Sequence, residues 1–448
     1  VAVLLLSTYE LERPPLGLAW PAAFLRRAGH AVATADLAVE AFPEDAVRAA
    51  RVIAIATPMH TALRLGVAAA ERVRALNPRA AIVFHGHYAW LNAELLRDRL
   101  ADAVLAGESE GLLVETVERL LAGERSAAPS RHLGRLDLPP PDRSGLPPLT
   151  RYARYVEGGR AHLAAYVEAS RGCLHTCRHC PIVPVYGGRF FAVPVETVLL
   201  DVRAQVAAGA RHVTFGDPDF LNGPTHALRL ARALATELPG ITFDFTAKVE
   251  HLLRHHELLP ELRACGCTFV TSALESLSDR VLERLDKGHV AADADVLLGV
   301  LDTAGIALRP TFVPFTPWAT RADYLQLVEW VLSRGLRAQV PPVQMSIRLL
   351  VPPGSALLGL DDAGEWLGEL DREAFTHRWR HPDPGMDELQ RQVAALAEAS
   401  SEGGSAEAAA WLQIRDLARA AAGLGRLDEP LPASHRPDPP RLTAHWFC

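Results

Sequence analysis

Short apolar runs alternate with amphipathic stretches over residues 1–125. The runs Val1–Leu6, Ala31–Leu37, Val52–Thr57, Ala81–His85 and Ala103–Ala106 read as buried strands, being too short for helices. Between them lie stretches such as Leu65–Leu76, where Leu, Val and Ala recur at helical spacing and Glu71, Arg72 and Arg74 fill the other face. Strand–helix alternation of this kind predicts an α/β fold with a doubly wound parallel sheet covered on both faces. Ligands of such sheets sit beyond the carboxyl ends of the strands. Here that edge carries Ser7–Pro15, Thr57–Thr61, Gly86–Trp90 and Gly107–Glu108.

The pattern breaks over residues 126–158, where Pro139-Pro140-Pro141 and Pro147-Pro148 interrupt any period and predict a linker draped over its neighbour. Alternation resumes at His162 with longer units. Strands are expected at Leu163–Ala169, His212–Gly216, Ile241–Ala247, Thr268–Leu274, Ala307–Val313 and Val343–Leu349, with helices such as Val195–Ala208 and Thr225–Glu237 between them. Six such units make a partial barrel, fewer than the eight of a closed one. After Pro352 the chain is broken by Pro and Gly, then helical across Asp387–Ser400 and Ala406–Ala422, and it runs out in a Pro-rich tail from Pro430. The expected organisation is a sheet domain at 1–125, a linker at 126–158, a partial barrel at 159–352, and a helical region with tail at 353–448.

Composition narrows this picture little. Of 448 residues 49% are hydrophobic and 22% charged, which excludes disordered and collagenous classes. A net charge of −7 offers no basic field for a phosphate backbone, so nucleic acid is not an expected partner. No apolar run approaches the ~18–20 residues that span a bilayer. The opening run lacks a basic flank and is cut short by Ser7, Tyr9 and Glu10, which reads as a first strand rather than a leader. A cytoplasmic protein without membrane contact is expected. Six cysteines in so long a chain are no disulfide framework, and their placement suggests a thiolate-bound metal.

That placement is the most informative feature. In Ser170-Arg171-Gly172-Cys173-Leu174-His175-Thr176-Cys177-Arg178-His179-Cys180-Pro181, three thiolates at Cys-x3-Cys-x2-Cys spacing can reach three corners of one iron–sulfur cubane and leave one iron open. Spacing alone leaves two other readings: a zinc site completed by His175 or His179, and plain buried cysteines. Cys265 and Cys267 read as small buried hydrophobes.

The segment resembles the cluster loop of the radical S-adenosylmethionine superfamily, and the first domain is similar to the cobalamin-binding Rossmann-like domain that often precedes that barrel. The resemblance implies a [4Fe–4S] cluster on Cys173, Cys177 and Cys180, with S-adenosylmethionine on the open iron and cleaved to a 5′-deoxyadenosyl radical. His179 stands where relatives carry an aromatic that contacts the adenine. Asp217 and Asp219, in Phe215-Gly216-Asp217-Pro218-Asp219-Phe220, stand where a Gly-Gly-Glu-like element takes the methionine ammonium. Glu275 and Ser276 resemble the Glu-Ser element of the ribose and carboxylate side. Arg309 and Arg348, on expected strands, offer forked clamps for a carboxylate, and Lys248 follows the third barrel strand.

Cobalamin is expected on the first domain at Thr57, His60, Gly86 and Gly107. The Asp-x-His-x-x-Gly element that ligates cobalamin in many such domains is absent, Ser7-Thr8-Tyr9-Glu10-Leu11-Glu12 standing in its place. Binding without a protein imidazole as lower ligand is therefore expected, with His60, His85 and His87 as neighbours of the site.

The function these features imply is cobalamin-dependent methyl transfer to an unactivated carbon of a small-molecule substrate, with a flavodoxin- or ferredoxin-type electron donor. The alternatives are a cobalamin-independent radical rearrangement, a 3-amino-3-carboxypropyl transfer, or a non-catalytic metal-binding scaffold. Gly187-Gly188-Arg189-Phe190, Gly216–Asn222 and Ile347–Leu350, with a chain end at Trp446-Phe447-Cys448, also resemble radical enzymes that end in Cys-Cys-Ala-Glu-Pro or Cys-selenocysteine-Ala-Glu-Pro (CCAEP or CUAEP tails). Cys448 would then be the first residue of that tail, followed by a read-through codon.

Overall fold

The computed structural model describes residues 2–124, 128–400, 405–432, 434 and 436–444. Strands β1 (Val3–Ser7), β2 (Val32–Asp36), β3 (Val52–Ala56), β4 (Ala81–His85) and β5 (Ala103–Gly107) pair in parallel in the order β2-β1-β3-β4-β5. Every residue of β1, β3 and β4 is buried, as two helical layers require. The order reverses between β1 and β3, so a crevice opens at their carboxyl ends. A sixth strand, β6 (Ser130–His132), pairs in parallel with β5 although it lies in the stretch expected to be linker. Three polar residues carry no strand signal; β6 forms because β5 offers an open edge.

The rest of that stretch is fastened down. Arg143 grips Asp201 with two hydrogen bonds of 2.7 and 2.8 Å and donates a third to the Tyr166 carbonyl. Leu138 and Leu149 are buried in the barrel's core. The chain then forms the hairpin β7 (Arg154–Glu157) and β8 (Arg160–Val167), followed by a short antiparallel pair, β9 (Ser170–Gly172) and β10 (Phe190–Ala192).

β8, β11 (His212–Phe215), β12 (Thr242–Thr246), β13 (Cys267–Glu275) and β14 (Ala307–Phe312) make a curled parallel sheet, the half-barrel. The expected sixth strand does not form. Pro341 and Pro342 remove two ladder donors, and the segment makes a 3₁₀ turn at Pro342–Ser346 and a single bridge from Arg348 to Phe315.

Beyond the barrel a hairpin, β15 (Leu367–Asp371) with β16 (Thr376–Trp379), precedes helices Pro384–Ala399 and Ser405–Ala421. The hairpin lies in the stretch expected to be broken by Pro and Gly, ahead of the two expected helices. The tail returns to the barrel as β17 (Arg441–Leu442), paired with β7. Trp446, Phe447 and Cys448 lie outside the described residues. No described helix is long and apolar enough to cross a membrane.

Sheet domain and barrel share a core. Trp20 and Phe24, on the helix Leu16–Arg27 that follows β1, belong to the barrel's buried cluster rather than to that of their own sheet.

Candidate active site

The cysteine loop leaves the barrel after β9. Gly172 makes that exit possible: its φ is +75°, and a Cβ there would lie 2.4 Å from the Arg189 carbonyl oxygen and 2.5 Å from the Tyr186 ring. Cys173 and Cys177 are buried and Cys180 is part-buried. Asn222 pins the loop's start, its Oδ1 accepting from the Leu174 amide at 3.1 Å. Arg178 pins the middle through the Glu283 and Arg284 carbonyls. Burial pushes the Cys173 thiol up to about 12 and the Cys180 thiol up to about 11. Three soft donors converging in a site where a lone thiolate is unfavourable fit a metal cluster, because bound iron keeps its thiols deprotonated.

Two buried networks flank the loop. In the first, Asp219 Oδ2 lies 2.9 Å from His251 Nδ1 and 3.5 Å from His175 Nε2, and it accepts from the Lys248 amide at 3.1 Å. Lys248 Nζ lies 3.1 Å from His175 Nδ1. Against burial, the bonds from His175 and His251 hold the Asp219 carboxyl below its usual range. Asp219 thus braces the cysteine loop and has no exposed surface left for an ammonium.

In the second, Glu275 Oε1 lies 3.0 Å from Lys287 Nζ and 3.1 Å from His179 Nε2. Burial opposes ionisation, but the Lys287 charge and the His179 bond overcome it and hold Glu275 well below the carboxylate range. Glu275 has φ +63°, a strained backbone for a non-glycine residue. The structure therefore brings His179 and Glu275 together, and it adds Lys287. Lys287 is 3% exposed; burial disfavours its charge, but the Glu275 carboxylate more than offsets that and holds the ammonium above its usual range. Its one signal in the sequence is scarcity, since Lys248 and Lys287 are the only lysines.

A cavity of about 360 Å³ lies between the two domains. One wall comes from the sheet domain's strand ends: Glu10, Arg13, Met59, His85, Gly86 and Gly107. The opposite wall is barrel: Tyr166, Glu168, Arg171, Gly216, Asp217 and Thr246. Asp217 accepts from the Ala169 amide and the Ser170 hydroxyl, and burial raises it to about 7. Burial, with the charges of Asp36 and Glu168, lifts Glu10 to about 8, although the Leu16 and Gly17 amides donate to it. Burial holds His85 and His87 neutral, with pKa values of about 4. His85, His87 and Glu110 line this cavity, and His85 Nε2, His87 Nδ1 and Glu110 Oε2 are buried with no hydrogen-bond partner among the described residues. Orphaned polar atoms on a cleft at the strand ends fit a large ligand fringed with amides, such as a corrinoid.

Of the other expected cobalamin neighbours, Gly86 and Gly107 line the cavity. Thr57 is buried with its hydroxyl on the His85 carbonyl, and His60 turns away to the Ala374 carbonyl. Of the expected S-adenosylmethionine neighbours, Ser276 is buried and caps a turn by accepting from the Ser278 amide. Arg348 is engaged outside the barrel: it donates to Asp387 and the Trp379 carbonyl and lies 3.5 Å over the Trp379 ring. Arg309 pairs in register with Thr271 of β13 and lies 5.7 Å over the Phe269 ring, and it does not line the interdomain cavity.

Two family models match the chain: Radical SAM superfamily over residues 167–328, and B12 binding domain over residues 2–117. Among curated proteins it is similar to the ribosomal protein uS12 methylthiotransferase RimO of Desulforudis audaxviator, 28% identical over 266 residues. The match covers 54% of this chain and 53% of that protein, so the chain spans about half the length of this relative. Among solved structures, the cobalamin-dependent S-adenosylmethionine radical enzyme OxsB with aqua-cobalamin bound superposes with a TM-score of 0.69 at 15% identity, covering 88% of this chain and 66% of that one. The radical S-adenosylmethionine methyltransferase TsrM from Kitasatospora setae, with cobalamin and a [4Fe–4S] cluster bound, gives 0.56 at 15% identity, covering 74% and 70%. At that identity the likeness is one of fold.

Proposed function

We propose that the chain is a radical S-adenosylmethionine enzyme of the subgroup with a B12-binding domain, a reading its matches over residues 167–328 and 2–117 support, and that it transfers a methyl group to an unactivated carbon of a small molecule. The cofactors of that subgroup are a [4Fe–4S] cluster, S-adenosylmethionine and cobalamin. When bound, the cluster supplies the electron that splits S-adenosylmethionine, and cobalamin carries the methyl group.

One observation carries the reading: the cavity's two walls come from the strand ends of both domains, so a corrinoid held by the sheet domain would face barrel residues. Cys173, Cys177 and Cys180 would hold the cluster. Asp217, at the barrel mouth, would accept from the methionine ammonium, and Lys287 would donate to its carboxylate while Glu275 keeps the lysine charged. Met59, Ile182 and Tyr186 line the same cavity and would keep water from it. The loop after β1 brings Glu10, Leu11 and Arg13 to the cavity and no imidazole.

The test is anaerobic reconstitution with iron, sulfide and cobalamin, then reduction in the presence of S-adenosylmethionine carrying a deuterated methyl group. Formation of 5′-deoxyadenosine together with deuterated methylcobalamin is expected. 5′-Deoxyadenosine without any labelled corrinoid would contradict methyl transfer, and neither product would leave a metal-binding scaffold as the better reading.

A further inference from the structure

Three segments far apart in the chain each bring one donor atom to a single point. His175 comes from the cysteine loop, Asp219 caps the turn Phe220–Asn222 that follows β11, and His251 lies on the helix Val249–Arg254 that follows β12. Asp219 Oδ2 is 2.9 Å from His251 Nδ1 and 3.5 Å from His175 Nε2, and the two nitrogens are 3.3 Å apart. The triangle is close to equilateral. Asp219 and His251 are buried and His175 is part-buried, so the group is largely closed to water.

Hydrogen bonds alone serve this triangle poorly. An ammonium can only donate, so Lys248 Nζ, 3.1 Å from His175 Nδ1, makes that nitrogen the acceptor and puts the proton of a neutral ring on Nε2. His251 Nδ1 must also carry a proton if the carboxylate is to hold it. Two N–H groups then face each other across 3.3 Å and compete for Asp219 Oδ2, which already accepts from the Lys248 amide at 3.1 Å. Asp219 Oδ1 is taken by the Leu221 amide at 2.9 Å. A cation at the centre, in place of those two protons, would make all three contacts attractive. The dimensions suit one: nitrogen and oxygen ligands at about 2.0–2.1 Å around tetrahedral zinc stand ~3.3 Å from one another. The displaced protons would move to the far ring nitrogens. Glu250 Oε2, 3.7 Å from His175 Nδ1 and 3.5 Å from Lys248 Nζ, is placed to accept one of them, as carboxylates behind metal-bound histidines do.

We propose that His175, Asp219 and His251 hold a zinc ion, separate from the metal of the three cysteines and outside the methyl-transfer chemistry. His175 stands between Cys173 and Cys177 in sequence, but its ring is turned to Asp219 and His251. Two imidazoles and a carboxylate make a borderline donor set that suits zinc. Their burial favours a four-coordinate ion, with water in the fourth position, over a six-coordinate one that needs three more ligands. The ion would tie the cysteine loop to the segments that follow β11 and β12.

The test loads the iron-reconstituted holoenzyme with zinc sulfate, removes loose metal by gel filtration, and measures both metals per chain together with X-ray absorption at the zinc edge. One zinc per chain is expected beside the iron, with nitrogen and oxygen neighbours at about 2.0–2.1 Å and no sulfur at about 2.3 Å. Asp219→Asn and His251→Ala should each lose the zinc, and Glu250→Gln should weaken its binding by roughly tenfold. The triple variant Cys173→Ala/Cys177→Ala/Cys180→Ala, which has no thiolates on that loop, should keep it. That arm depends neither on the cluster nor on the proposed reaction. Zinc lost on gel filtration, sulfur among its neighbours, or full zinc in Asp219→Asn or His251→Ala would each overturn the assignment. So would a triple variant with unchanged circular dichroism and no zinc.

Discussion

Lys287 and Glu275 form a buried ion pair beside the cysteine loop, 3% and 5% exposed. Removing one partner strands the other charge. Lys287→Met is expected to cost about 3–5 kcal/mol in a denaturant titration of the metal-free protein, while the double variant Lys287→Met/Glu275→Gln recovers most of it. Additive losses would show that the two do not act as a pair. Glu10 tests the cavity's electrostatics by pH. Its folded pKa, about 8, is raised above the ordinary 4.5, so its contribution to stability is complete below about 4.5 and is lost as pH rises through about 8. Between about pH 4.5 and pH 8 the unsubstituted protein should therefore lose stability that Glu10→Gln keeps; parallel pH profiles of the two would refute the assignment. At this scale the cysteines were legible because a loop motif is local in sequence. Lys287 was not, because its meaning depends on a partner at the end of β13.

At the scale of elements, Gly172 governs how the cysteine loop leaves β9. Alanine there would meet the Arg189 carbonyl and the Tyr186 ring in a left-handed backbone. Gly172→Ala is expected to lower the iron bound per chain after reconstitution while the far-ultraviolet circular dichroism of the barrel stays the same; full iron content would mean that the loop has slack. The five parallel strands from β8 to β14 were readable as apolar runs between amphipathic helices. β6, β7 and β17 were not, since short polar strands form only where a finished sheet presents an unpaired edge. Val343–Leu349 looked like a strand by composition and failed because Pro341 and Pro342 cannot donate to one.

At the scale of the molecule, Arg171 joins the domains. It lies 2.8 Å from Glu110, 3.1 Å from Glu168 and 3.4 Å from Glu108, and its guanidinium sits over Trp20. Glu108 and Glu110 follow β5 of the sheet domain, whereas Arg171 and Glu168 belong to the barrel. Arg171→Met would leave three carboxylates without their cation across the interface. Faster amide hydrogen exchange at the end of β5 and weaker retention of cobalamin on gel filtration are expected, with iron content unchanged. Unaltered exchange would show that the shared Trp20 and Phe24 packing suffices to dock the domains.

The two parallel sheets and the grouping of three cysteines on one loop were determined by the sequence alone, because apolar period and cysteine spacing are properties of neighbouring residues. The tertiary structure decided which polar residues share a site. Asp217, Asp219, Arg309 and Arg348 look equivalent in sequence, as charged residues near the ends of expected strands. Folding sends Asp217 to the cavity wall, Asp219 into the brace of the loop, Arg309 onto the Phe269 ring and Arg348 to the C-terminal helices. Register and the angle of each strand set those destinations, and both arise from packing between segments far apart in the chain, which no local pattern records.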